Sequence, residues 1–287
     1  MTRKRFFTLF IFGIGLLFLL LIARTLMNMG PIGDKVAIIE VIGAISRSDE
    51  MIEQIHQYRD DPTVKAIVLR IDSPGGSVAP VQEIYGELKK VGKPIVASMG
   101  STAASGGYYL ACAANQIFAN PGTLTGSIGV IMQFIKMKGL YEKIGVEQQV
   151  VKSGKFKDIG SGSRNLTDEE RALLQGTIDD VHTQFIDAIL EGRKEHLTRE
   201  EIVALADGRI FSGQQALEHK LVDRLGNLPD AIKLAATLGR ISGKPKTIRA
   251  KRKVSWLERI LGATNERNLE HLLNPGVSFR YELSFGK

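Results

Sequence analysis

The sequence predicts an α/β fold built of βαβ units around a mostly parallel sheet, preceded by one N-terminal transmembrane helix. Three observations carry this. Short runs rich in β-branched residues alternate with helix-length amphipathic stretches from Val36 onward, the pattern of parallel strands joined by crossover helices. Glycine-rich loops stand where strand-like runs hand over to helix-like ones. Ahead of all this, residues 6–23 form an uncharged apolar stretch behind Arg3, Lys4 and Arg5.

That first stretch is 18 residues, about 27 Å at a rise of ~1.5 Å per residue, which is the lower range for a spanning helix. Leu26 and Met27 extend it past Arg24, whose long side chain can snorkel. The exit reads Ile22-Ala23-Arg24-Thr25-Leu26-Met27 and lacks the small-residue pattern of a cleaved signal peptide. An uncleaved anchor is therefore expected. The basic cluster keeps the N-terminus in the cytoplasm and puts the body on the other side, in a bacterium the periplasm or the outer face.

Gly30-Pro31-Ile32-Gly33 is a breaker-rich linker. Beyond it, 36–41 (VAIIEV) is a strand and 51–58 suits a helix. Residues 66–71 (AIVLRI) form the next strand and end in Asp72-Ser73-Pro74-Gly75-Gly76-Ser77. A helix over 78–90 places Val81, Ile84, Tyr85 and Leu88 on one face. Residues 94–99 are a third strand, the small residues of 103–114 suit a helix, and 116–119 is a short strand. A long helix over 166–190 opens at Thr167 with Glu170 three positions on, a capping box. From about Gly243 the composition turns basic. The chain thus divides into an N-terminus, anchor and linker (1–32), a folded domain (33–242) and a basic tail (243–287).

Composition removes several classes. At 287 residues, 44% hydrophobic and 24% charged, the chain is globular rather than disordered. Cys112 is the only cysteine, which excludes an intrachain disulfide or a multi-cysteine zinc site and suits an oxidising compartment. The net charge is +7, and residues 240–287, with eleven Lys/Arg against four Asp/Glu, carry all of it. A nucleic-acid-binding body is not supported by that distribution. The tail's Lys251-Arg252-Lys253 precedes Trp256, Leu257, Ile260 and Leu261. This fits a membrane-surface element, or a tail that folds back into an assembly. The five histidines (His56, His182, His196, His219 and His271) adjoin no glycine-rich loop. They organise no triad, and no metal-ligand spacing is present. No cofactor or metal is expected.

Three loops have the residues for chemistry. In 72–77, glycines free backbone N–H groups to face a ligand at a helix start, although a tight turn needs the same residues. In Met99-Gly-Ser-Thr-Ala-Ala-Ser105-Gly106-Gly107-Tyr108-Tyr109 a serine enters a helix among small residues. The residues alone favour plain helix capping by Ser101 or Ser105; the mechanical idea of a nucleophile elbow also fits, although the G-x-S-x-G pattern is absent. In Lys152-Ser-Gly-Lys155-Phe-Lys157-Asp-Ile-Gly160 three lysines share a glycine-rich loop. The loop is either solvated or able to bring an amine into an apolar pocket, where it loses its proton.

The three loops in this order, DSPGGS (72–77), MGSTAASGGYYLACAANQIFANPGTLTGSIGV (99–130) and VKSGKFKDIG (151–160), resemble the signal peptide peptidase A family. The resemblance runs from about Val36 to Leu238. It implies a Clp-protease/crotonase-like fold and a membrane-anchored serine endopeptidase with a Ser–Lys dyad. By motif, Ser105 would be the nucleophile and Lys157 the general base, with Lys155 as the nearby alternative. Ser127 would orient the lysine, and Gly75, Gly76 and Gly106 would form the oxyanion hole. The single copy of each motif resembles the family's short form, which implies a homo-oligomeric ring, octameric, with Ser and Lys contributed by neighbouring protomers. The implied substrates are remnant signal peptides and other apolar peptides at the bacterial inner membrane. Two rival readings share the fold: a non-catalytic membrane scaffold, which would be free to lose Ser105, Lys157 and Ser127, and an acyl-CoA enzyme, which the outward topology disfavours.

Overall fold

The computed structural model describes residues 33–250 and the backbone of 280–282. The expected anchor and the basic run at 251–253 lie outside the described residues. Among those described, no helix is long and apolar enough to cross a membrane.

In chain order the elements are β1 (Lys35–Ile42), α1 (Asp49–Asp60), β2 (Val64–Ser73), β3 (Gly75–Ser77), α2 (Val78–Lys89) and β4 (Ile95–Ala104). Next come α3 (Gly106–Ala111), β5 (Gln116–Ala119), β6 (Leu124–Gly126), α4 (Lys138–Ile144) and α5 (Asp168–Arg193). The remainder is α6 (Arg199–Leu205), β7 (Ile210–Ser212), α7 (Gly213–Glu218), β8 (Arg224–Leu225), α8 (Leu228–Leu238), β9 (Lys246–Arg249) and β10 (Arg280–Glu282). The main sheet runs β7-β6-β4-β2-β1-β9. Its neighbours are parallel except β6 and β7. β4 is long enough to serve two partners. β5 pairs with its first half at Val96–Ser98, β6 with its last residues at Thr102–Ala104, and β8 continues beyond β5. The expected α/β class with a mostly parallel sheet is what forms.

Side-chain alternation explains why Val36–Ile39 of β1 read as an unbroken apolar run. Ala37, Ile39 and Val41 enter the larger core with Ile67, Leu69, Ile71, Ala97 and Met99, under α1, α2, α3 and α5. Val36 and Ile38 point the other way, with Ala66, Val68 and Val96, against Ala231 and Ala235 of α8. Both faces are buried, as in a parallel sheet flanked by helices. Thr167 caps α5 as expected. Its Oγ1 accepts the Glu170 N–H, and the Glu170 carboxylate accepts the Thr167 N–H at 2.9 Å. At the far end of α5, buried Arg193 donates to both Asp223 oxygens and to the Lys220 carbonyl. Asp223 also accepts the Ile117 N–H at 2.7 Å, so this pair ties α5 to the edge of the sheet.

Two boundaries differ from the expectation. The strand expected to stop at Met99 continues to Ala104, and the helix expected over 103–114 spans only Gly106–Ala111. The cause is long-range: Ala103 and Ala104 pair with Thr125 and Gly126 of β6, so a segment of small residues is held extended until Ser105. β9 lies past residue 242, where it adds the edge strand beside β1.

Candidate active site

The chain turns sharply at the end of β2. The Ser73 hydroxyl donates to the Gly43 carbonyl at 2.6 Å and accepts the Gly75 N–H at 3.1 Å. Gly75 takes φ +102°, a conformation open to glycine. β3 then lies along Ile45, whose N–H donates to the Gly75 carbonyl and whose carbonyl accepts the Ser77 N–H, both at 2.8 Å. Alternation therefore turns the N–H and C=O of Gly76 to the opposite edge. On that edge β10 lies antiparallel, with Tyr281 opposite Gly76. A Cβ on Gly76 would stand 2.1 Å from the Ile45 carbonyl oxygen, so any side chain there must push the strand away. Gly76→Ala is expected to lower kcat/KM by about 100-fold or more and to shift the urea midpoint downward. Unchanged peptide hydrolysis would show that this strand does not contact the reacting group.

Ser105 stands at the corner between β4 and α3. Its φ of 53° and ψ of −117° are unusual for a non-glycine residue, cost about 1–3 kcal/mol and persist only where the surroundings impose them. Here they do. The Ser105 N–H donates to the Gly126 carbonyl at 2.8 Å, and its own carbonyl accepts the Tyr109 N–H at 2.9 Å. The residue is 1% exposed, yet its Oγ has no hydrogen-bond partner. Gly106 comes next as the first residue of α3, where N–H groups have no partner inside the helix. A Cβ on Gly107 would come within 2.9 Å of the Ser73 carbonyl oxygen. The first turn of α3 is therefore seated on the corner that leads into the glycine strand. Ser127, buried and at φ 49°, adjoins the Gly126 that holds Ser105. Its N–H donates to the Arg209 carbonyl at 2.8 Å.

The lysine loop is separate from this group. Lys157 is exposed, and the partnerless Ser105 Oγ places its amine outside hydrogen-bond reach of the serine within one chain. Lys155 pairs with Glu169. Next to Lys157, Asp158 accepts from Lys152 and, through two bonds of 2.9 and 3.0 Å, from Arg164, which also grips Glu170. The loop that presents Lys157 is thus bolted to the first turn of α5. The Arg164 guanidinium, with the Thr167 N–H second, holds the Glu170 carboxyl down to about 2 from an ordinary 4.5. Arg164, then Lys152, holds Asp158 well below its usual range. A depressed folded-state pKa contributes stability that is complete above the ordinary carboxylate range and is lost as the pH falls through the folded value. Amide exchange in 152–170 is therefore expected to speed up as the pH drops from about 4.5 towards 2, beyond the intrinsic rate change. Protection that stays constant across that window would contradict the clamp.

The structure brings Ser105, Gly106, Ser127, Gly75 and Gly76 to one end of the sheet and leaves Lys157 in an exposed loop. Sequence reasoning missed Ser73 and Ile45 as the supports of the glycine strand. A serine ahead of Pro-Gly-Gly was a turn signal, whereas nothing local pointed to Ile45.

A buried serine oxygen with no partner, flanked by main-chain N–H donors, is suited to attack an acyl carbonyl and stabilise the oxyanion that forms. The neighbouring strand edge pairs with an extended backbone, here β10, and the arrangement suits a serine peptidase. Sequence comparison places the chain more narrowly. The model for peptidase family S49 matches residues 87–242, and that for Clp protease matches 34–124. A Synechocystis sp. protein, named as a candidate protease, is 48% identical over 207 residues, 71% of this chain and 74% of that protein. Protease 4 of Salmonella typhi is 38% identical over 221 residues, 73% of this chain but 35% of its own length. The chloroplastic serine protease SPPA of Arabidopsis thaliana is 37% identical over 218 residues, 70% of this chain and 32% of that protein. The chain belongs to peptidase family S49. It spans about a third of the length of the last two relatives.

Proposed function

We propose that the protein is an endopeptidase in which Ser105 attacks the scissile carbonyl and Lys157 of a second copy takes the serine proton. The observation that carries this is the buried Ser105 Oγ, partnerless in a single chain, beside main-chain donors. Of the two turn glycines, Gly76 is the donor we assign to the oxyanion with Gly106, because the Gly75 N–H is already given to Ser73. The displaced amine leaves with the lysine's proton, and water then hydrolyses the acyl-serine. A lysine amine acts as base only when neutral, which an apolar, water-free enclosure favours. Ile135, Leu140, Ile144, Val146, Val150 and Val151 are exposed on the segment leading into the lysine loop. Such an apolar surface suits burial against another copy, in keeping with the homo-oligomeric ring, octameric by resemblance. Ser127 would orient the incoming amine, and Lys155 is the weaker candidate because it is paired with Glu169.

The substrates we propose are remnant signal peptides and other apolar segments, bound as an added strand on Gly76, with the N-terminal helix holding the domain at the bacterial inner membrane. The test is cleavage of a synthetic signal peptide in vesicles by the full-length protein. Wild type should cleave within the apolar segment and Ser105→Ala should not, whereas equal inactivity of correctly assembled proteins would favour the scaffold reading. Because β10 already occupies the strand edge, deleting residues 280–287 should lower KM by about threefold or more with kcat held. An unchanged KM would show that the segment does not compete with substrate.

A further inference from the structure

We infer that Asp72 is a positioning residue for the nucleophile, an inference that rests on Ser105 being that nucleophile. β2 and β4 run in even register from Ile67↔Ile95 to Ile71↔Met99 and resume at Ser73↔Ala103. Asp72 alone on β2 therefore faces Gly100, Ser101 and Thr102 on β4. Two extra residues in one strand bend it and re-aim the chain beyond the bulge, here Ala103, Ala104 and Ser105.

The side chain of Asp72 fills this bulge. Its Oδ1 accepts the Thr102 N–H at 3.0 Å. A Cβ on Gly100 would lie 2.9 Å from the Asp72 Cγ and Oδ2, so the carboxylate packs directly on the Gly100 backbone. Thr123 fixes the other side, donating its hydroxyl to the Gly100 carbonyl at 2.8 Å. From the last bulge residue onward, Thr102, Ala103 and Ala104 pair with β6, and the Ser105 N–H reaches Gly126. Asp72 thus sets how far β4 has advanced when it meets β6, and so where the serine corner falls. The next residue, Ser73, holds the Gly75 N–H. Two consecutive side chains at the end of one strand therefore place the attacking oxygen and the glycine strand relative to each other.

The role requires an acceptor at Oδ1 and does not require a charge. Asp72→Asn keeps the acceptor and is expected to retain kcat within about threefold, while Asp72→Ala loses about 10- to 100-fold in kcat with KM held within about twofold. Phosphonylation of Ser105 by a small fluorophosphonate, in which the serine oxygen displaces fluoride from phosphorus and no peptide groove is needed, should slow in parallel with kcat. Gly100→Ala drives a methyl into the carboxylate and should also lower kcat; Asp72→Ala removes the Cγ and Oδ2 contacts but keeps the Cβ 3.0 Å from that methyl, so the double variant should lose less than the product of the two single losses. The measurements use full-length protein, with assembly checked by light scattering. Wild type that is not phosphonylated at Ser105 refutes the nucleophile itself. With wild type phosphonylated, the positioning role is overturned in three ways: Asp72→Ala keeps wild-type kcat, it raises KM alone, or Asp72→Asn is as impaired as Asp72→Ala. Should Asp72→Ala fail to assemble, Gly100→Ala decides, and wild-type kcat in that variant overturns the inference.

Discussion

Ser105→Ala is expected to lower kcat/KM by about 10⁴-fold or more while leaving the fold at least as stable as wild type. The serine hydroxyl lies in a 1% exposed site without a partner. Alanine therefore breaks no hydrogen bond and relieves a desolvated polar group, which typically costs about 1–3 kcal/mol when left unsatisfied. The main-chain bonds to Gly126 and Tyr109 do not involve the side chain and persist. Peptide hydrolysis and a urea titration on the same preparations separate the two effects. A variant that lost activity and stability together would indicate a packing role for Ser105.

Lys157→Ala is expected to reduce activity by a comparable factor, again about 10⁴-fold, because a serine without its base is a weak nucleophile. Its stability should change by no more than about 0.5 kcal/mol, since the side chain is exposed. Lys155→Ala, whose amine is engaged with Glu169, should stay within about threefold of wild type. An inactive Lys155→Ala beside an active Lys157→Ala would reassign the base.

These expectations rest on features of unequal visibility in the sequence. The strand character of 36–41 and 66–71 was legible because burial on both sheet faces demands runs of apolar residues, which Val36 to Ile39 and Ala66 to Leu69 supply before Glu40 and Arg70 interrupt them. The long helix after Thr167 was legible from its capping box. The corner at Ser105 was harder. Ala103 and Ala104 suit helix and strand alike, and only their pairing with Thr125 and Gly126 keeps them extended, a contact made more than twenty residues away. The resemblance named Gly75 and Gly76 together. Separating them took the register against Ile45 and the bond to Ser73. The distance between Lys157 and Ser105 was not readable locally, because it depends on how a charged, glycine-rich loop is bolted down by Asp158, Arg164 and Glu170.

The most direct test of a site divided between copies is to mix the two dead proteins. Ser105→Ala retains the lysine, and Lys157→Ala retains the serine. If each site joins Ser105 of one protomer to Lys157 of another, random co-assembly at equal amounts should restore about a quarter of wild-type activity. A mixture shown to co-assemble yet as inactive as its components would contradict the shared site and place both residues in one chain.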